Sequence, residues 1–486
     1  MPAELTGEQT AQVTVVVLAA GEGTRMKTRK LPKVLHGFAG RSLLEHVLAA
    51  AAPLNAARTV VVVGHRRDEV TAHLAEVAPE AVPVVQAEQH GTGHAVRLAL
   101  EAVPPGPGTV VVLPGDTPLL TAETLQRLVE EHAVASATLL TSVVPDPTGY
   151  GRVIRDEAGT VVRVVEHKDA SDAERAVDEI AAAVYAFDHE LLRDAVTKLS
   201  TDNAQGEEYL PDVIGILGGA GHRIGAVIAP AAETAGVNDR VQLAAAHRTY
   251  NDRLLEQHMR NGVTVVDPAT TWVDATVELE ADVVLLPGTD LHGATRVAEG
   301  AEIGPQTSLT DTVVGAGARV DRCVAVQAEL GADVTVGPFA YLRAGTVLAE
   351  GAHVGTYVEV KNSEVGPGSK VPHLTYVGDA TIGAHSNIGA ATVFVNYDGV
   401  AKHRSTVGDH VRIGSDTMIV APREIGDGAY TAAGSVITSD VPPGAMAVAR
   451  AHQRNVAGWT LRKRSGTPSA EAAQRALSRN ADAEEG

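Results

Sequence analysis

Leu330-Gly-Ala-Asp-Val-Thr-Val336-Gly-Pro-Phe-Ala-Tyr-Leu342-Arg-Ala-Gly-Thr-Val-Leu348-Ala-Glu-Gly-Ala-His-Val354-Gly-Thr-Tyr-Val-Glu-Val360 carries an aliphatic side chain at every sixth position, and the spacing returns at Val407, Ile413, Ile419 and Ile425. A period of six fits neither the 3.6 of a helix nor the 2 of an ordinary strand. It is the signature of a chain coiling through short parallel strands, so the C-terminal half reads as a parallel β-helix. Glycine follows many of these aliphatic residues, as in Ile303-Gly304, Val354-Gly355, Ile388-Gly389 and Ile413-Gly414, which suits corners that a Cβ would hinder. The repeat breaks between Phe394 and Val407, where Val395 to Thr406 (VNYDGVAKHRST) is polar. That stretch is expected to be a loop thrown out from the coil, where function tends to sit.

The first half follows another pattern. Short β-branched runs, Val13 to Leu18, Thr59 to Val63 and Thr109 to Leu113, alternate with amphipathic stretches such as Ser42 to Ala52. Buried parallel strands with crossover helices are expected. Arg240 to Asn261 is rich in helix formers and ends at Gly262, which predicts a helical arm with a C-terminal stop. The expected organisation is an α/β domain over 1–239, an arm over 240–262, the β-helix over 263–463 and a loose Ala-, Ser- and charge-rich tail over 464–486.

A chain of 486 residues is too long for one core. Its net charge of −20 argues against broad attraction to nucleic acid or an anionic membrane. Cys323 is the single cysteine, which excludes an intrachain disulfide framework and a thiolate metal cage. The N-terminus, MPAELTGEQTAQ, lacks the basic and apolar regions of a leader, and no apolar run reaches spanning length. These features point to a cytoplasmic protein working on small molecules.

The first strand runs into Leu18-Ala19-Ala20-Gly21-Glu-Gly23-Thr24-Arg25-Met26, with Leu31-Pro32-Lys33 beyond it. A glycine-rich turn after a buried strand lets backbone N–H groups approach phosphate, and Arg25 and Lys33 add positive charge. Alone, such a turn is as often purely structural, and it matches neither the Walker nor the dinucleotide fingerprint. It is followed, however, by Gln86-Ala-Glu-Gln89-His-Gly91-Thr92, by Gly115-Asp116 after a strand, by Gly149-Tyr150-Gly151-Arg152, by Glu166-His-Lys-Asp and by Gly236-Val237-Asn238. In this order the segments resemble the sugar-phosphate nucleotidyltransferases. His90 and His94 have the i, i+4 spacing of a helical zinc pair, but Gly91 and Gly93 lie between them, so a loop without zinc is expected.

In the repeat, Tyr341-Leu-Arg343, Val358-Glu359-Val-Lys361-Asn362, Pro372-His373-Leu-Thr-Tyr376-Val-Gly-Asp, Ser386-Asn387-Ile-Gly-Ala390 and Asn396-Tyr397-Asp398-Gly399 stand out. With the first set they closely resemble the bifunctional GlmU family over roughly Val13 to Arg464. In that family an N-acetylglucosamine-1-phosphate uridyltransferase is joined to a glucosamine-1-phosphate N-acetyltransferase.

The resemblance implies an α/β, Rossmann-like nucleotidyltransferase domain and a left-handed β-helix of hexapeptide repeats assembled as a homotrimer, making UDP-N-acetylglucosamine for cell-wall synthesis. It implies UTP, acetyl-CoA, glucosamine 1-phosphate and N-acetylglucosamine 1-phosphate as substrates. It assigns Mg²⁺ to Asp116 and Asn238, and phosphate contacts to Arg25 and Lys33. Leu18, Ala19, Ala20, Gly21, Lys33, Gln86, Gln89, Gly91, Thr92, Gly151, Glu166, Ala181 and Asn238 would hold UTP or its sugar nucleotide. His373 would be the general base, since imidazole titrates near neutrality, with Glu359 orienting it. Arg343 and Lys361 would contact the sugar phosphate, Tyr376 and Asn387 the sugar and transition state together with Asn396 and Tyr397, and Ala390, Asn396, Tyr397, Ser415, Ala433 and Arg450 acetyl-CoA.

One segment departs from the family pattern. Glu179-Ile180-Ala181-Ala182-Ala183 has Ala181 in place of an Asn that would bond the sugar and Ala183 in place of a Gly, so a weakened sugar site is expected. The alternative readings are a single-activity enzyme, either acetyltransferase only or a nucleotidyltransferase with a structural β-helix, and a β-helical scaffold with a degenerate catalytic domain.

Overall fold

The computed structural model describes residues 12–28 and 30–484, so the acidic N-terminal stretch read above lies almost wholly outside the described residues. The chain forms two compact units that divide after Ala344.

The first unit is built on a nine-stranded sheet. Its strands are β1 (Val13–Ala19), β2 (Arg58–Val63), β3 (Val82–Val85), β4 (Thr109–Pro114), β5 (Ala137–Val143), β6 (Arg152–Arg155), β7 (Val161–Val165), β8 (Glu179–Asp188) and β9 (Ile224–Ile228). The order is β9-β5-β8-β4-β1-β2-β3, with β6 and β7 forming a hairpin beside β8. β3, β2, β1 and β4 are parallel, and β8 runs antiparallel between β4 and β5. Val15, Val16, Val17, Val60 to Val63 and Val110 to Val112 are buried on both faces of the sheet, which is why these strands read as unbroken β-branched runs. The ends of β1 and β4 meet where Leu18 pairs with Pro114, the carboxyl edge at which open parallel sheets hold ligands.

The predicted arm is a helix over Arg240–Arg260, capped by Asp239, whose side chain accepts from Val241 and Gln242 N–H at 2.9 Å. Its buried Asn251 donates to Thr271 O at 2.9 Å and accepts from Val273 N at 3.0 Å. With both amide groups satisfied, the helix binds the first coils of the repeat to the α/β sheet. The compact unit consequently runs past the boundary expected at 262.

Within each unit the six-residue period becomes stacked parallel strands. In the second unit three columns are formed: Thr346–Leu348, Glu364–Val365, Ala380–Ile382, Ser405–Val407 and Glu424–Ile425; His353–Thr356, Lys370–His373, Asn387–Ile388, Arg412–Ile413 and Tyr430–Thr431; and Glu359–Lys361, Tyr376–Gly378, Val393–Val395, Met418–Val420 and Val436–Ile437. Leu348, Val354, Val360, Val407, Ile413, Ile419 and Ile425 all point into the interior. This is the left-handed β-helix class expected.

Gly304 takes the positive φ of a corner, at 110°, whereas Gly355, Gly389 and Gly414 have a different reason. A Cβ on Gly389 or Gly414 would come within 2.5 Å of backbone in the next coil, Ile413 O and Ala433 N respectively. The close approach of coils, rather than a positive φ, excludes a side chain there. The polar stretch after Phe394 does leave the coil, as a short hairpin with Tyr397 bridged to Lys402, and Thr406 already pairs with Thr381 in the coil.

The tail expected to be loose carries a helix over Pro468–Glu484, preceded by one over Trp459–Lys463. Ala, Gln, Arg and Glu dominate it and Pro468 opens its first turn, so local propensity outweighs the low hydrophobicity. Among the described residues no helix is long and apolar enough to cross a membrane.

Candidate functional site

At the carboxyl edge of β1 and β4 lies a cavity of about 460 Å³. Leu18, Ala19, Ala20, Gly21, Lys33, Gln86, Gln89, Gly91, Thr92, Asp116, Gly151, Glu166 and Ala181 all line it. A Cβ on Gly21 would meet nothing within 4 Å, so the turn presents bare backbone to the cavity, whereas Gly91, at φ 108°, lies against the backbone of Glu208. Gln89 Nε2 donates to Ala20 O at 2.7 Å and Gln86 Nε2 to Gly91 O at 3.1 Å. Thr92 Oγ1 accepts from Leu210 N at 3.0 Å. These bonds fix the two segments that face each other across the opening.

Asn238 does not line the cavity but is bonded to Lys33, which does. Its Oδ1 accepts from Arg25 Nη2 and from Lys33 Nζ, each at 2.8 Å, and Lys33 is also ion-paired with Asp116. Val237 N donates to Asp116 O at 2.8 Å, which keeps the acid and the amide side by side. Four residues spread over more than two hundred positions therefore converge on one charged centre.

Glu166 is half-buried in the wall. Burial, with Asp212 and Asp169 close by, holds its carboxyl above the ordinary range despite the opposing charge of Arg152. Arg152 is itself buried and donates to Tyr150 O and to the ring of His167 at 3.2 Å. Sequence reasoning gave no role to Tyr150, Tyr185 or Glu207, which also line the cavity. The alternation Ala181, Ala183, Tyr185 along β8 carried that signal. The register of β8 against β5 shifts between Ala181 and Tyr185, and Ala183 takes φ 56°.

His94 falls in the first turn of the helix Thr92–Glu101, not in the loop expected, while His90 precedes it. Their rings are 5.1 Å apart, with His90 on Glu88 at 2.8 Å and His94 on Gln86 at 3.2 Å. Among the described residues no group of three or more His, Cys, Asp or Glu side chains is placed for a metal ion.

In the second unit, stacking assembles another set. His373 pairs in register with Thr356, and Glu359 with Tyr376, so His373 and Glu359 stand on adjacent coils. Lys361 Nζ lies 3.1 Å from both oxygens of Asp379, which also accepts from Asn362 Nδ2 at 2.6 Å and Asn396 Nδ2 at 2.5 Å. Tyr376 Oη is 3.4 Å from Asn396 Nδ2, and a Cβ on Gly378 would collide with both. Asp379 was quoted with its motif but given no role. Burial opposes its ionisation, yet the hydrogen bonds from Asn362, Lys361 and Asn396 prevail and depress its pKa.

Asn387 belongs to the column of His373 rather than that of Lys361 and Tyr376, paired with Lys370 and Arg412. Ala390, Ser415 and Ala433 lie one above another: Asp416 N bonds Ala390 O at 2.7 Å, Gly434 N bonds Ser415 O at 2.9 Å, and Gly434 is close to Arg450 Cδ. Tyr397 is exposed on the hairpin. Arg343 falls in the first unit, one residue after the strand Tyr341–Leu342.

Residues 15–198 match the MobA-like NTP transferase domain, and residues 404–439 match the bacterial transferase hexapeptide family of six repeats. The chain is 61% identical to the bifunctional protein GlmU of Streptomyces coelicolor, over 97% of this chain and 98% of that one. It is 62% identical to that of Streptomyces avermitilis (95% and 96%) and 59% identical to that of Thermobifida fusca (96% and 98%). Identity at this level over both halves, each with its own cluster of polar side chains, means that the chain belongs to the bifunctional GlmU family.

Proposed function

We propose that the chain acetylates glucosamine 1-phosphate from acetyl-CoA and then joins N-acetylglucosamine 1-phosphate to UTP, releasing pyrophosphate and making UDP-N-acetylglucosamine in the cytoplasm. The observation that carries the reading is the clustering of motif residues at two separate places, one around the cavity of the first unit and one, Arg343 apart, on the coils of the second. A nucleotidyltransferase with an inert solenoid would not need the Lys361, Asp379, Asn396 and Tyr376 cluster, and full-length relatedness to bifunctional proteins disfavours both single-activity readings and the scaffold.

In the first unit the bare turn after β1 cradles phosphates, Arg25 and Lys33 neutralise them, and Gln86, Gln89 and Thr92 hold the base. Asp116 and Asn238 offer hard oxygen donors that already gather around one cation, the Lys33 ammonium. That donor set suits Mg²⁺, which keeps its other positions for water and phosphate oxygens. The bound ion would supply charge neutralisation at the triphosphate. Glu166 and Gly151 line the sugar end.

In the second unit His373 removes a proton from the substrate ammonium, freeing the amine to attack the thioester carbonyl. Lys361 meets the sugar phosphate, Tyr376 and Asn387 the sugar, and the Ala390, Ser415, Ala433 column with Arg450, Asn396 and Tyr397 the coenzyme. A homotrimer completes the reading. Tyr357 and Leu374 are each 60% exposed while held in the left-handed conformation, at φ 55° and 51°, a costly way to display apolar side chains unless a second copy covers them.

A split assay on the full chain tests this: thiol release from acetyl-CoA with glucosamine 1-phosphate, and pyrophosphate release from UTP and N-acetylglucosamine 1-phosphate with Mg²⁺. Both are expected. Silence in one arm reduces the chain to a single activity, and silence in both favours the scaffold.

A further inference from the structure

We propose that Asp379 is a positioning residue for acetyl transfer, its carboxylate setting both the Lys361 ammonium and the root of the hairpin that carries Tyr397; this rests on the acetyltransferase reading above. The Asp379 side chain is 9% exposed. A buried charge is tolerated only when its lone pairs are met, and Asp379 meets them with donors from three places: Lys361, its neighbour Asn362, and Asn396 at the first foot of the hairpin. The second foot is tied to the same residue, because Ser405 N donates to Asp379 O at 3.1 Å. Asp379 N in turn donates to Lys361 O at 3.0 Å. One residue thus spans the coil below, its own coil and both ends of the inserted loop.

Its backbone sits at φ 51°, a conformation in which Asp and Asn are the least strained non-glycine residues. Asparagine can therefore replace it with the backbone kept and the charge removed. An ammonium has three donors, and the two oxygens of Asp379 occupy at most two. Lys361 is thus held in place with donor capacity left for a phosphate. Without the carboxylate, the long lysine stem regains rotamers that binding must freeze again. The loss should appear as weaker capture of the sugar phosphate.

The test uses the full chain and measures kcat and KM for thiol release, with the urea midpoint of each variant as a check on folding and pyrophosphate release as a control. Asp379→Asn should raise KM for glucosamine 1-phosphate by about 10- to 100-fold, with a smaller change in kcat and pyrophosphate release intact. In a Lys361→Ala background the same change should have little further effect on that KM, since the two act as one unit. A merely structural Asp379 would add its effect in both backgrounds. Asn362→Gly removes one donor to Asp379 while accepting the positive φ at 362. It should raise the KM about threefold or more, and it serves if Asp379→Asn does not fold. Unchanged KM in folded Asp379→Asn or Asn362→Gly, or full additivity with Lys361→Ala, overturns the proposal. Lys361→Ala without effect on KM would instead overturn the underlying assignment of Lys361.

Discussion

The ring of Phe38 lies flat on the ring of His46, with centroids 4.4 Å apart and planes 19° from parallel. His46 Nε2 is also 3.1 Å from Phe38 O. Tyr250 meets the His46 ring edge-on at 4.5 Å, and His247, 5.4 Å from Phe38, reaches Trp272 at 4.5 Å. This chain of rings joins the hairpin at Phe38 and the helix Leu43–Ala51 to the arm helix and the first coil within the first unit.

Burial pulls the His46 pKa down to about 4, with Arg41 and His247 adding to it and the Phe38 carbonyl and Glu45 opposing. The unfolded side chain titrates near 6.5, so the unfolded chain takes up the proton first as pH falls. The contribution is whole above pH 6.5, declines between 6.5 and 4, and is spent below that. Its size is on the order of 3 kcal/mol. Urea midpoints followed from pH 7 to 4.5 should drop, and His46→Phe should flatten part of the drop. A parallel loss in the variant would mean that the other depressed histidines, His247 among them, carry it all.

Ala181 lines the cavity with a methyl group, which offers a bound sugar no hydrogen bond. Restoring the amide with Ala181→Asn should lower KM for N-acetylglucosamine 1-phosphate about 10- to 100-fold in pyrophosphate release, the value of one or two buried hydrogen bonds of about 1–3 kcal/mol. An unchanged KM would show that the sugar is held by other groups, with Glu166 and Tyr185 of the same cavity as candidates.

His373→Ala should cut kcat for thiol release by about 10²–10⁴ and leave pyrophosphate release as it was, because His373 stands in the second unit and the nucleotide cavity in the first. Raising the pH should return part of the lost rate, as more of the substrate amine is then already deprotonated. A variant with unaltered kcat would remove His373 from the role of base.

The period of six at Leu348, Val354 and Val360 made the solenoid legible because each of those side chains must enter a narrow interior once per side. The nucleotide cavity was legible for the same kind of reason: Gly21 and Gly91 mark where backbone meets a ligand or another backbone without a Cβ. Asp379 was not, although its motif was read, because its importance lies in donors gathered from positions 361, 362 and 396. No local spacing encodes such a hub. The end of the chain was misread for the opposite reason. Composition spoke of low hydrophobicity, while helix propensity from Pro468 onward depends only on local residues.

Ala183 offers the last test, of strain rather than contact. It sits at φ 56° where β8 slips against β5, a conformation that costs an L-residue about 1–2 kcal/mol and glycine almost nothing. Glycine also gains about 0.4–1 kcal/mol of unfolded-chain entropy, which works against it. Ala183→Gly should therefore stabilise the protein by roughly 0.5–1 kcal/mol, read as a higher urea midpoint at unchanged slope. Because Ala183 borders the cavity, the same change should act with Ala181→Asn on KM for the sugar phosphate more than additively if the bulge sets the direction of residue 181. Strict additivity would confine Ala183 to stability.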